Sequence, residues 1–165
     1  MFLRQHASGF QDLRGASGSL TLPISARLLN EVIAESLPRS APIRDLEVKP
    51  LSGDRFGVRF RIGTSAFLPP IGLTLSIEQQ PVLPDSPVLV LKMEMSGLLT
   101  LAGPALRFLD ALPPGVRVER DRIYVDVKKL LEVRGAARYL EYVNALQVNT
   151  RDGSVVVSIG ASIKA

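Results

Sequence analysis

Side chains able to carry out chemistry are few in this chain and poorly spaced for it. His6 is the single histidine. It falls in a stretch without regular pattern, so a Ser-His-Asp relay has no positioned base and a histidine metal site lacks further ligands. Cysteine is absent, which removes disulfides, thiolate metal sites and Cys nucleophiles. The carboxylates Asp45, Asp54, Asp110, Asp121 and Asp126 are spread over different segments, most beside a charge or a turn that accounts for them. A two-carboxylate hydrolase would need a pair of them brought together across the fold. Neither G-x-x-x-x-G-K-[ST] nor G-x-G-x-x-G occurs, so no nucleotide site is indicated. The expectation is a protein that is not an enzyme and uses no cofactor or metal.

Two groupings remain. Lys128 and Lys129, with Arg117, Arg120, Arg122, Arg134 and Arg138, form the densest basic region, interleaved with Glu119, Asp121, Asp126 and Glu132. Such mixtures are usually solvated surface, because the acids damp the field. The sharper reading assigns Lys128, Lys129, Arg134 and Arg138 to an anionic membrane surface. The other grouping is Met93 and Met95 with Leu89 and Leu91 on one strand face. Thioethers adapt to irregular apolar guests, although ordinary core packing accounts for each residue singly.

The elements that position these residues read mostly as strands. Ser19 to Leu22 alternates polar and apolar, and Pro23 is expected to end that strand. Ser25 stands as an N-cap. Leu28, Leu29, Val32, Ile33 and Leu37 then make one apolar stripe of a helix that Pro38 stops. Leu46 and Val48 alternate with Asp45, Glu47 and Lys49, and Ser52-Gly53-Asp54 is a turn. Phe56, Val58, Phe60 and Ile62 alternate strictly with Arg55, Gly57, Arg59 and Arg61, giving an apolar inner face and a basic outer one. Ile71, Leu73, Leu75 and Ile77 repeat the pattern, as do Leu89, Leu91, Met93 and Met95, with Val88, Val90, Lys92 and Glu94 on the other face, exposed towards its end at Lys92 and Glu94. Gly103-Pro104 opens a second short helix with Ala105, Phe108, Leu109 and Leu112 on its apolar side, and Pro113-Pro114-Gly115 closes it. A hairpin turns at Arg120-Asp121. One or two helical turns follow between Lys128 and Tyr142, with Leu130, Leu131, Val133, Tyr139 and Leu140 inward. A last hairpin turns at Asp152-Gly153. Alternating βα units are missing, so the fold class is α+β, a highly curved antiparallel sheet wrapped around one main helix with a second short helix.

Composition agrees. The 165 residues are 46% hydrophobic and carry a net charge of +4, with a mean hydropathy of +0.20 and a pI near 9.8. That suits one ordered domain, residues 19–165, behind a loosely patterned arm, residues 1–18. Aromatics are 5% and Trp is absent, which leaves little to stack on bases and argues against a nucleic-acid partner. No segment approaches the roughly 18 unbroken apolar residues of a spanning helix. MFLRQHASGF lacks the apolar core of a signal peptide. The compartment is cytoplasmic as written, and periplasmic or extracellular if a leader was removed.

The order of elements resembles a known group. Gly18-Ser19-Leu20-Thr21-Leu22 feeding S-x-x-L-L-N-x-x-I, Ser25 to Ile33, then an antiparallel meander, resembles the start of a TULIP-type lipid-binding half-module. The segment LPPGVRVERDRIYVDVKKLL, Leu112 to Leu131, is similar to bacterial single-module proteins of that type. The group includes the bactericidal/permeability-increasing proteins and synaptotagmin-like lipid-carrier domains. The resemblance implies a curved sheet around a long helix, with a space between them for lipids or other elongated apolar molecules. The aliphatic faces at 56–62, 71–77 and 89–95 also supply more apolar area than two short helices cover. A ligand, a second copy of the chain or tighter curling must close that surplus. The expected lining is Leu29, Val32, Ile33, Val58, Phe60, Leu73, Leu75, Leu91, Met93, Met95 and Phe108. The alternative is a scaffold that pairs through an exposed apolar sheet face, with its twin or with a partner protein.

Overall fold

The computed structural model describes residues 15–63, 69–94 and 112–163. In chain order these form β1 (Ser17–Ser25), α1 (Ala26–Ser36), β2 (Ile43–Leu51), β3 (Arg55–Ile62), β4 (Ile71–Gln79), β5 (Val88–Met93), β6 (Val116–Glu119), β7 (Arg122–Asp126), α2 (Val127–Val133), a 3-10 turn (Ala137–Tyr142), β8 (Val143–Arg151) and β9 (Ser154–Ser162). The fold is α+β, with one main helix and short additional ones. Six strands in the order β2-β3-β4-β5-β7-β6 form a strongly curved antiparallel half-barrel, and β1-β9-β8 form a second antiparallel sheet. The expected second helix, from Gly103 to Leu112, lies almost wholly outside the described residues.

β1 runs through Pro23 instead of ending there. The reason is its place at the edge of its sheet. Ile163 N–H to Ala16 O, 2.9 Å, and Ala26 N–H to Gly153 O, 3.0 Å, bracket its ladder with β9. Antiparallel bonding alternates, so the even-numbered backbone groups of β1 face β9 and the odd-numbered ones face the open edge. Pro23 is odd, and its missing N–H deprives no partner. α1 begins as its sequence requires: Ser25 Oγ accepts the Leu28 N–H at 3.3 Å. It stops where Leu37 turns extended, φ −79° and ψ 130°, ahead of Pro38.

α1 packs chiefly against β2, and a polar residue sets that contact. Asn30 Oδ1 accepts the Val48 N–H at 2.7 Å, and Asn30 Nδ2 donates to the Val48 carbonyl at 2.8 Å. β2 is an edge strand, so one amide side chain stands in for a missing neighbour strand. Gln80 does the same for β8, the edge of the other sheet. Its Oε1 accepts the Val148 N–H at 2.9 Å and its Nε2 donates to the Val148 carbonyl at 2.7 Å. Both amides satisfy backbone groups that would otherwise lose their partners on partial burial.

The sheets are joined at two hairpin tips. Asp54 Oδ1 accepts the Thr150 N–H at 2.9 Å, Thr150 Oγ1 accepts the Arg55 N–H at 2.9 Å, and Gly153 N–H donates to Pro50 O at 3.0 Å. Thr150 is the buried polar residue of this seam, and Pro50 beside it is fully buried. Gly153 at φ 77° supplies the left-handed residue the Asp152-Gly153 turn requires.

The core lies on the inner face of the half-barrel. Register places Pro50, Phe56, Leu75 and Met93 in one row across β2 to β5, and Ile77, Leu91 and Ile123 in the next. Ile43, Phe60, Leu73 and Val155 complete the buried cluster. Each such side chain contributes roughly 1.5–3 kcal/mol by leaving water. Val90, on the opposite face of β5 from Leu91 and Met93, is buried too, beside a register shift between Ile77 and Gln79. Two placements depart from the sequence pattern. Val133 and Tyr139, expected inward, are 67% and 46% exposed; neither α2 nor the 3-10 turn holds a buried residue.

Candidate functional site

Among the described residues no cluster of His, Asp or Glu is arranged to hold a metal ion, and no helix is long and apolar enough to cross a membrane. The candidate surfaces are therefore an aliphatic inner face and a basic outer face of the same sheet.

Along the inner face, Val58 stands opposite Leu73 and Phe60 opposite Ile71, with Leu75 opposite Met93 and Ile77 opposite Leu91. The register thus brings Val58, Phe60, Leu73, Leu75, Leu91 and Met93 onto one continuous surface, and Leu29 of α1 packs against it. They do not have equal access. Phe60, Leu73, Leu75 and Met93 are buried core, whereas Leu29, Ile33, Val58 and Leu91 are half-buried. Val32 is 37% exposed, because α1 turns its Leu28–Val32 edge away from β2. Met95 and Phe108 lie outside the described residues.

The three-stranded sheet continues this apolar surface. Ile24 is opposite Val155, Leu22 opposite Val157 and Leu20 opposite Ile159, on one face. That face is covered at one end, where Val155 is buried and Ile24 and Val157 pack on the core. At the other end Leu22 is 41% and Leu20 53% exposed. Their alternation was readable in the sequence; their exposure was not, since it depends on how far the half-barrel reaches along β1.

The four basic residues expected at a membrane lie on α2 (Lys128, Lys129), at its C-cap (Arg134) and in the 3-10 turn (Arg138). Lys128 and Arg138 line a cleft of about 310 Å³ with Leu83, Pro84, Leu140 and Glu141. Lys129 lines another, of about 250 Å³, with Gly115, Arg117, Tyr124 and Asp126. Arg134 donates to Ser36 Oγ at 2.9 Å, tying α2 to the end of α1. The Arg138 guanidinium lies 5.2 Å from the centre of the Tyr139 ring. Nearby, Arg122 grips both oxygens of Glu78. Its hydrogen bond holds the Glu78 carboxyl below the ordinary glutamate value, and Glu78 in turn raises the Arg122 guanidinium.

A third cleft, of about 370 Å³, opens on the outer face across β2, β3 and β4. Two ladder rows build it, Glu47–Arg59–Gly72 and Lys49–Gly57–Thr74, and Val58 and Leu73 between them complete its lining. Sequence reasoning passed over it. The readable signal was a glycine at an outward position in two neighbouring strand interiors.

Compared with known proteins, the chain matches no family model, no curated protein and no solved structure.

Proposed function

We propose that the protein binds a lipid or another elongated apolar molecule on the inner aliphatic surface, without catalysis, as the resemblance to TULIP-type modules implies. One observation carries the reading. The apolar face shared by the half-barrel and the β1-β9-β8 sheet is not closed by the described residues: Leu20 and Leu22 are largely exposed, and Leu29, Val58 and Leu91 only half-buried. A guest covering them would gain about 25 cal/mol per Å² of apolar surface removed from water. The buried Phe60, Leu73, Leu75 and Met93 act in this reading as the wall behind the lining. A fluorescent fatty-acid probe should bind saturably and be displaced by natural lipids. Leu91→Gln should weaken that binding. A folded protein without saturable probe binding refutes the reading.

A second reading is supported by β1. Among the described residues its outer edge has no neighbour and presents the backbone groups of Ser17, Ser19 and Thr21; its nine residues carry no charge, and eight of them are exposed. Such edges pair with other strands, and a second copy pairing antiparallel about a two-fold axis would bring Leu20 and Leu22 together from both chains. Light scattering should then show a dimer that Thr21→Lys dissociates.

A further inference from the structure

The outer cleft contains two glycines that the fold itself does not demand. Gly57 and Gly72 sit in strand interiors, where glycine weakens a strand relative to other residues. Neither is at one of the positive-φ positions, so backbone conformation does not require them. Packing does not require them either. Among the described residues a Cβ added at Gly72 would meet nothing within 4 Å, and one at Gly57 would meet Leu51 Cδ1 at 3.7 Å and the Lys49 carbonyl at 3.9 Å, both ordinary contacts. The register is regular at both glycines, which leaves no bulge there; such glycines then mark a bend of the sheet or a place where a ligand approaches the backbone closely.

The charges around them point to what approaches. Lys49 and Arg59 are exposed and diagonal to each other across the β2–β3 ladder, a spacing of about 7–8 Å that two long side chains bridge onto one anion. Neither makes an ion pair among the described residues. Glu47 stands opposite Arg59 in the ladder, yet no salt bridge joins them. Arg61 on the same face is occupied by Asp45 at 3.6 Å. Thr74, the remaining polar wall, brings a hydroxyl from β4.

We infer that this cleft binds a phosphate ester. Arg59 offers a planar fork and Lys49 a point charge to the phosphate oxygens. Thr74 donates a further hydrogen bond. The ester's organic part lies over the two glycines, for which the cleft has room beyond the phosphate itself. The ester is a soluble phosphorylated compound or a phospholipid headgroup; the chemistry at Lys49 and Arg59 is the same. The site lies on the opposite face of the sheet from the aliphatic surface, so it stands or falls independently of lipid binding there.

The test uses the full chain with inorganic phosphate, glycerol phosphate, and phosphatidylcholine vesicles with and without phosphatidylglycerol. Binding is followed by calorimetry and by amide chemical shifts of β2 to β4. Glycerol phosphate should bind saturably, more tightly than inorganic phosphate, and shift Gly57 and Gly72. If only the anionic vesicles bind with those shifts, the ester is a headgroup. Lys49→Gln and Arg59→Gln should each weaken binding about tenfold, as loss of a charge-assisted contact does. Gly72→Val, which removes no charge and whose side chain has open space, should weaken it as much by filling the floor. Gly57→Ala is the milder second variant should Gly72→Val disturb folding. Binding that survives both glycine substitutions but falls with any lost cation anywhere on the surface is unspecific attraction and overturns the site. So does the absence of binding to every probe.

Discussion

Replacing Asn30 by Ala removes the amide that closes the edge of β2. The Val48 N–H and carbonyl, bonded at 2.7 and 2.8 Å in the native chain, are then left facing the apolar side of α1. An unsatisfied buried backbone group costs about 1–3 kcal/mol. Both bonds are only part-buried, so about 1 kcal/mol each is the appropriate end of that range. The helix gains a few tenths of a kcal/mol from alanine's better propensity, leaving a net loss of roughly 1.5 kcal/mol. For a domain of this length each kcal/mol lowers Tm by about 2–4 °C, so a fall of about 3–6 °C is expected. Asn30→Asp keeps the acceptor for the Val48 N–H and loses the donor, and should lie between wild type and Asn30→Ala. Hydrogen exchange adds a local readout, since the Val48 amide should lose protection well before the core of β3. A Tm change under about 1 °C, together with unchanged protection of Val48, would show that Asn30 does not hold α1 to the sheet.

Gln80→Ala should destabilise by a similar amount and deprotect the Val148 amide in exchange measurements. Leu73→Ala, in the middle of the buried inner face, should cost about 2–5 kcal/mol in denaturant unfolding; a loss below about 0.5 kcal/mol would place that face in solvent. Gly115 has φ 93°, and a Cβ there would lie 2.9 Å from Lys129 Cβ and 3.1 Å from the Asp126 carbonyl. Gly115→Ala should therefore cost about 1–3 kcal/mol and loosen the junction of β7 and α2. Arg122 lowers the Glu78 pKa in the folded chain, so this pair stabilises above the ordinary glutamate range, and the contribution is lost as pH falls through the lowered value. Glu78→Gln should flatten that part of the acid unfolding curve; an unchanged curve would mean the pair is not formed in solution.

The local pattern determined a good deal of this protein. Strand period along Phe56–Ile62 and Ile71–Ile77 assigned residues to the inner and outer faces correctly, because side chains alternate strictly wherever a strand is regular. The Ser25 cap, the stop at Pro38 and the Asp152-Gly153 turn are likewise decided within a few residues, by hydrogen bonds and backbone sterics that need no distant partner. Tertiary structure decided the rest. Pro23 reads as a strand end until β1 proves to be an edge whose odd-numbered groups face outward. Asn30 and Gln80 look like ordinary polar surface, and only the apposition of α1 to β2 and of Gln80 to β8 turns their amides into edge caps. Leu20 and Leu22 have the pattern of buried residues, yet burial depends on how far another element extends over them. Gly57 and Gly72 lie fifteen positions apart in sequence and become the floor of one cleft through the β3–β4 register. Pattern fixes which way a side chain points from its own backbone; what it meets there is set by the pairing of segments far apart in the chain.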